Sequence, residues 1–344
     1  MNEDDFSVVH VIRSDGFAGV EKHVARLAAA QAERGWRVAV IGGGVGPMRQ
    51  EWGAARFAHR EAVTILDAIR RLDEFRTADL LHAHMTAAEA AAVLSPRTWR
   101  VPLVVTRHFA SPRGGSPLGR LAAPLIRRRL SAQIAISDYV AAAIDGASTV
   151  IYPGVPDEPG RVAAAGRERT VLVAQRLEGE KKTDDAIRAF AASELGPRGW
   201  RLVLAGRGSQ EAALRRLAQQ VGVAGSTEFL GQRGDVADLM RRAGMLLAPC
   251  EIEGLGLSVL EAMALGLPVV ASASGAHLET VGSVASARLY PPGDTWAAGQ
   301  ALAGLAASPE QRDAYGAAIQ LAQRTRFSIA SQADRTEALY RSLL

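Results

Sequence analysis

Two doubly wound α/β halves are the fold predicted by this 344-residue sequence. Three observations carry the prediction. Short apolar runs alternate with amphipathic stretches, the pattern of parallel strands joined by crossover helices. The alternation breaks at 155–170 (VPDEPGRVAAAGRERT), a segment rich in Pro, Gly and charge that reads as a linker. The length also suits two domains better than one.

The first series opens with FSVVHVI (6–12), a buried strand, and the Gly-rich SDGFAGV turns it into an amphipathic helix that ends at Gly35. WRVAVIGGG is the next strand and turn, and AVTILDAIRRLDEF holds a helix. ADLLHAH, PLVVTRH, SAQIAIS and STVIYPG read as strands, separated by helices in TAAEAAAVLSPR, LGRLAAPLIRRRL and DYVAAAIDG. The second series has the strands TVLVAQR, WRLVLAG, STEFLG, MLLAPC, LPVVAS and SARLY. Its helices include TDDAIRAFAAS, QEAALRRLAQQVG, VADLMRRAG and LSVLEAMALG, and the tail is helical with a break near Phe327. The expected domains are 1–155 and 156–326, with 327–344 a helix packing back toward the first. Ligands of open parallel sheets bind outside the carboxyl ends of the strands, so a cleft between two such halves is the expected site.

Composition narrows the function. Hydrophobic residues make up 48% and charged residues 22%, ordinary for a globular protein with a large core. A formal charge of +4 is a modest excess. It argues only weakly for nucleic acid and fits anionic small ligands or a membrane surface about as well, and no nucleic acid is expected as a partner. The single cysteine, Cys250, excludes an intramolecular disulfide and a cysteine-rich zinc site, and reads as a small buried residue. The N-terminus MNEDDFSVVHVI has no basic n-region, and no run is apolar enough to span a bilayer. The expected location is cytoplasmic, with peripheral contact at the inner face of the membrane as an option.

The most informative segment is EGLGLSVLE, bracketed by Glu253 and Glu261 and followed by AMALGLPVVAS. It reads as a loop, a helix, and a Gly-Pro break into a strand. Gly254 and Gly256 allow close approach of the backbone to a ligand, and the helix start favours an anion such as phosphate. Two carboxylates beside a phosphate seat suit a ligand that also carries hydroxyls. A nucleotide-sugar has both.

The segment PCEIEGLGLSVLEAMALGLPVVAS resembles the nucleotide-sugar motif of retaining glycosyltransferase family 4, which has the GT-B fold of two Rossmann-like domains facing across a cleft. Further matches follow in order: FAGVEKHV, HAHM, VVTRH, AQRLEGEKKTDDAIRAF, VLAGRGS, FLGQR, and SGAHLETV with YPPGD. The resemblance spans almost the whole chain. It implies transfer of a hexose-type sugar from a UDP-, GDP- or ADP-sugar to a carbohydrate or lipid-linked acceptor, with an α-linked product and no metal or separate cofactor. Envelope glycans, lipopolysaccharide, capsule and glycosylated natural products are all open as products. A sugar-nucleotide epimerase of the same fold is the alternative enzyme, and a non-catalytic sugar-nucleotide-binding subunit the alternative without chemistry. An α-glucan phosphorylase would need a pyridoxal phosphate lysine, which is not identifiable.

The resemblance also assigns residues. Arg176 and Lys181 in QRLEGEK match the pair that contacts the diphosphate, and Lys182 stands where the family has Gly. Glu253 matches the residue that meets the donor hexose, and Glu261 the one that accepts ribose hydroxyls. Backbone groups of Gly254, Leu255, Gly256 and Leu257 would serve the phosphate and sugar, with Leu255 in place of a common Phe. Gly231, Gln232 and Arg233 match the loop that reads the base. Gly16 and Gly19 match a glycine turn near the diphosphate and acceptor, where Ala18 replaces one glycine of the pair. Glu21 reads first as a helix-start acid. His108 matches a histidine near the reacting sugar, and Arg107 beside it reads as solvent-facing. Glu279 reads as fixing the loop around Gly275 and Ala276. His82 and His84 share one strand face. With no third ligand at a suitable spacing, a metal is not expected there, and His84 is expected to line the acceptor cleft. Residues 111–130 carry many arginines around an apolar helix, suiting an anionic membrane surface or an ordinary packing helix with a basic outer face. The resemblance implies front-face attack, the departing phosphate oxygen taking the acceptor proton.

Overall fold

The computed structural model describes residues 6–55, 57–113 and 117–344, without the side chains of residues 117–122. The chain divides into two compact units, Met1–Gly154 with Ile329–Leu344, and Val155–Ser328.

The first unit holds a parallel sheet of β1 (Ser7–Ile12), β2 (Arg37–Ile41), β3 (Ala58–Arg60), β4 (Leu80–His84), β5 (Leu103–Arg107), β6 (Ala132–Ala135) and β7 (Thr149–Val150). Their order is β3-β2-β1-β4-β5-β6-β7. The second unit holds β8 (Thr170–Ala174), β9 (Arg201–Ala205), β10 (Thr227–Gly231), β11 (Met245–Ala248), β12 (Val269–Ser272) and β13 (Arg288–Tyr290). Their order is β10-β9-β8-β11-β12-β13. Each sheet therefore reverses direction once, between β1 and β4 and between β8 and β11. Such switch points leave a crevice at the carboxyl ends of the strands, where the flanking loops part to opposite sides.

Three elements escape the apolar pattern. The helix Val45–Trp52 contains Gly46 and Pro47 in its first turn, and β3 is three residues long with no apolar run. The helix Thr295–Ala307 is small and apolar nearly all round, so it lacks a periodic contrast. Its start is nonetheless marked by Asp294, whose carboxylate accepts the Ala297 N–H at 2.9 Å. The break near Phe327 falls between the helices Pro309–Arg326 and Ile329–Arg341.

Strand residues of the first sheet alternate between two faces. On one face Val9, Val11, Leu81, Ala83 and Val105 pack against Ala88, Ala91 and Ala92 of the helix Met85–Val93. On the other, Val8, Ile12, Leu80 and Val104 meet Val24, Ala25 and Ala28 of the helix Gly19–Glu33 and Tyr340 of the helix Ile329–Arg341. Each fully buried Val or Leu contributes roughly 1.5–3 kcal/mol. The register pairs His10 with His82 and Ile12 with His84. These histidines stand in the same side-chain rows as Val8, Ile12 and Leu80, so this second face turns polar toward the strand ends. The helix Gly19–Glu33 starts where Glu21 Oε2 accepts the Ala18 N–H at 2.8 Å, the helix-start role expected of Glu21.

In the second unit Val171, Leu172, Val173, Leu202, Leu204, Leu246, Leu247, Val269 and Val270 are all buried. Consecutive strand residues are apolar here because helices cover both faces of the sheet.

Candidate active site

The site residues expected on the second unit follow the carboxyl ends of its strands. Arg176 and Lys181 follow β8, Gly231 to Arg233 close β10, Glu253 to Leu257 follow β11, and Gly275 to Glu279 follow β12. β8 and β11 are neighbours across the switch point, so their loops meet. Lys181 Nζ lies 2.8 Å from Glu253 Oε2, with side chains only 19% and 23% exposed. Burial would lower the Lys181 ammonium, but the charge and hydrogen bond of Glu253 outweigh it and hold it above the usual range. Burial would raise Glu253, and Lys181 outweighs that in turn, leaving its carboxyl below the usual range. Lys181, and not Lys182, makes this pair. Lys182 instead adopts a left-handed conformation, φ 53° and ψ 39°, between a turn at Gly179–Lys181 and the helix Thr183–Ala192. Glycine reaches that conformation without a Cβ penalty, which accounts for a glycine pattern at this position.

The Glu253 backbone is held from below. Ser274 Oγ donates to the Glu251 carbonyl at 2.5 Å, and the Ala276 N–H donates to the Glu253 carbonyl at 3.0 Å. Gly275, at φ +54°, packs so closely that a Cβ there would sit 2.8 Å from the Glu253 oxygen. Gly256, at φ 86° and ψ 73°, opens the helix Leu257–Ala264, which carries Glu261 one turn in. Leu255 is buried, an apolar anchor between Gly254 and Gly256. Arg176 is exposed and reaches Glu180 at 2.8 Å. Arg233 is also exposed and forks onto Asp235 through two bonds of 2.7 Å, while Gly231 accepts the Gly206 N–H at 2.8 Å.

Sequence reasoning missed two supporting residues here. Gln175 Nε2 donates to the Lys181 carbonyl at 2.7 Å and to Thr183 Oγ1 at 3.0 Å, fixing the loop that presents Lys181. His277 is buried near Glu253 and donates through Nδ1 to the Ser272 carbonyl at 3.2 Å. Burial lowers His277 even though the charge of Glu253 acts to raise it.

In the first unit Gly16 and Gly19 follow β1, and Gly19 begins the helix Gly19–Glu33. The Gly43 N–H donates to the Ser14 carbonyl at 2.7 Å and the Gly44 N–H to the Gly16 carbonyl at 2.8 Å. The glycine run 42–44 after β2 therefore braces the Gly16 loop, a role that sequence reasoning also missed.

His108 follows β5 and is 7% exposed. Around it the structure corrects three expectations. His82 and His84 do not lack a third ligand: His10, His82 and His84 form one buried trio, and His23, His84 and His108 another, with ring nitrogens within 4.8 Å of one another in each. The added histidines come from β1, from the helix Gly19–Glu33 and from the end of β5, brought in by parallel register and by the packing of that helix on the sheet, not by sequence spacing. His84 does not line an open surface but is fully buried. Arg107 is not solvent-facing: it is 5% exposed and donates to the Ser111 carbonyl at 2.6 Å and to Asp145 at 3.3 Å. Within 111–130, Arg113 is buried against Glu89 and Asp145, and Arg129 donates to the carbonyls of Thr98 and Val101 at 2.8 Å. Arg127 and Arg128 are exposed. Residues 114–116 lie outside the described residues, and so do the side chains of 117–122. No helix among the described residues is long and apolar enough to cross a membrane.

Two family models tile the chain. The one for Glycosyltransferase Family 4 matches residues 17–159, and the one for Glycosyl transferases group 1 matches residues 156–321. A lipopolysaccharide core biosynthesis mannosyltransferase, LpcC of Rhizobium leguminosarum bv. viciae, is 31% identical over 76% of this chain and 78% of its own length. The chain belongs to glycosyltransferase family 4. The family-4 chain is also 28% identical to LpsB, the corresponding mannosyltransferase of Rhizobium meliloti, over 95% of both proteins. A D-inositol 3-phosphate glycosyltransferase of Kribbella flavida is 30% identical over 86% of the chain and 78% of its own length. Among solved structures, Anabaena Alr3699/HepE in complex with UDP and glucose superposes with a TM-score of 0.81 at 20% identity, covering 98% of this chain and all of that one. The fold of this glycosyltransferase is GT-B.

Proposed function

We propose that the chain is a retaining, metal-independent hexosyltransferase that uses a nucleoside-diphosphate sugar and builds an envelope glycan. The observation that carries this reading is the Lys181–Glu253 pair at the switch point of the second sheet. A buried ammonium at that position neutralises a diphosphate as it departs, and the carboxylate beside it accepts hydroxyls of the transferred sugar. Arg176 adds a second cation, and Gly254 to Leu257 offer backbone N–H groups at a helix start. Glu261 takes the ribose, and Gly231 to Arg233 the base. In the transfer step the acceptor oxygen bonds to the anomeric carbon on the face from which the phosphate leaves. The bond from carbon to phosphate oxygen breaks, and the acceptor proton passes to that oxygen. His108, Gly16 and Gly19 serve the substrate from the first unit, which carries the acceptor.

The names of the Rhizobium relatives favour a mannosyl or related hexosyl donor and a lipopolysaccharide core acceptor. All of these relatives are named as transferases, which favours transfer over epimerisation. The test is a thermal-shift screen of UDP-, GDP- and ADP-sugars, then turnover with an acceptor in the presence of EDTA and NMR analysis of the product anomer. One nucleotide class is expected to stabilise the protein, and the product is expected to be α-linked with full activity in EDTA. A β-linked product, loss of activity in EDTA, or no response to any sugar nucleotide rejects the reading.

A further inference from the structure

Five of the seven histidines gather on one face of the first sheet, and three of them form a continuous hydrogen-bonded chain. Gln31 Oε1 lies 2.7 Å from His10 Nε2, His10 Nδ1 lies 3.1 Å from His84 Nε2, and His84 Nδ1 lies 3.3 Å from His108 Nε2. Gln31, His10 and His84 are fully buried, while His108 at the outer end keeps 7% of its surface. No second hydrogen bond to the His108 ring occurs among the described residues.

The protonation pattern of such a chain is not free. A neutral imidazole has one donor and one acceptor nitrogen, so three in series must all point the same way. Burial disfavours the imidazolium at each position, holding His10 at about 4 and His108 at about 3, and His84 well below its usual value. The direction is then set by the inner end. Gln31 offers a carbonyl oxygen, so His10 donates through Nε2 and accepts through Nδ1. His84 must donate to His10 and accept from His108. His108 donates inward through Nε2, and its Nδ1 carries a lone pair.

We propose that Gln31, His10 and His84 are positioning residues that lock His108 in the Nε2–H tautomer, making its outer nitrogen an obligate acceptor for a substrate hydroxyl. This rests on the glycosyltransferase reading, in which His108 meets the substrate. A lone pair repels a phosphate oxygen and attracts a hydroxyl hydrogen, so the ligand class is a sugar hydroxyl and not the diphosphate. The neighbours support a hydrogen-bonded cluster over a metal centre. His82 uses both nitrogens, on Tyr340 Oη at 2.5 Å and Thr106 Oγ1 at 2.6 Å. His84 likewise uses both, on His10 and His108. His23 stacks edge-on against His108, with ring centroids 5.0 Å apart, and Gln332 Nε2 approaches it at 3.3 Å.

The test reads the tautomers directly. In the full chain labelled with 15N-histidine, ring-nitrogen shifts are expected to show His10, His84 and His108 all as Nε2–H. In Gln31→Leu, with its melt checked for folding, His108 should become a mixture of tautomers, and kcat/KM should fall roughly tenfold, the loss of about one hydrogen bond. An Nδ1–H form at any of the three in the wild type overturns the lock. So does a His108 signal unchanged in folded Gln31→Leu. Stoichiometric zinc uptake that His84→Leu abolishes would make the cluster a metal site and also overturn it. Full turnover by His108→Phe overturns the substrate half. The underlying glycosyltransferase reading fails separately, through a wild-type protein that transfers no sugar.

Discussion

Lys181 Nζ and Glu253 Oε2 stand 2.8 Å apart although their residues belong to different crossovers of the second sheet. The pair sits on loops from β8 and β11, so it links the two sides of the switch point with one charge from each. On the proposed reading the two groups meet different parts of the donor, and a pair already oriented in this way would lower the ordering cost of binding.

The pair makes stability depend on pH in a defined window. Glu253 is depressed, so its contribution is complete above the ordinary glutamate value of 4.5 and is lost as pH falls through the folded value. Lys181 is raised, so its contribution is complete below the ordinary lysine value of 10.5 and is lost as pH rises through the folded value. Between those limits Lys181→Met should destabilise the second unit by roughly 1–3 kcal/mol, between the worth of an exposed pair and the cost of breaking a buried one. Urea titrations of wild type and variant from acid to alkaline pH measure this. The gap between them should close outside the window, and a gap independent of pH would refute the assignment.

Turnover separates the roles of the cations. Arg176→Ala, Lys181→Ala and Glu253→Ala should each lose more than about tenfold in kcat/KM while remaining folded. For Arg176, which is exposed and ion-paired with Glu180, the loss should come with no change in melting temperature. Near-normal turnover of the Arg176/Lys181 double variant would reject diphosphate binding by this loop.

Lys182→Gly should stabilise the protein. Relief of a left-handed residue is worth about 1–2 kcal/mol and the added freedom of the unfolded chain takes back about 0.5–1 kcal/mol, leaving a net gain of up to about 1.5 kcal/mol. Differential scanning calorimetry of the two proteins checks the sign. A lower melting temperature would mean that the Lys182 side chain has a stabilising role larger than its backbone strain.

Gly275→Ala should act on Glu253 without touching a charged group. Its Cβ meets the Glu253 carbonyl at 2.8 Å and the Glu253 nitrogen at 3.0 Å, in a left-handed conformation. A loss of roughly 1–3 kcal/mol in stability is expected, with weaker binding of the donor by isothermal titration. Unchanged donor affinity would show that the backbone at Glu253 does not position the ligand.

Much of this molecule is written in local pattern. Buried parallel strands need unbroken apolar runs, so β1, β8 and β11 announce themselves, and the segment 253–261 shows loop, helix start and carboxylates within a few residues. Local pattern fails where an element lacks contrast, as in β3 and the helix Thr295–Ala307. It fails more deeply for relationships made by register. His10, His23, His82, His84 and His108 have no shared spacing, and it is the pairing of β1 with β4 and of β4 with β5, with the helix Gly19–Glu33 packed on that face, that brings them together. The same holds for Arg107, which reads as an exposed charge beside a histidine until Asp145 and Ser111 close over it. The sequence by itself determined the class of fold and the residue types beside the expected donor. The tertiary structure decided which lysine faces Glu253 and which histidines share protons, because hydrogen bonds and charges act over a few ångströms of space and not along the chain.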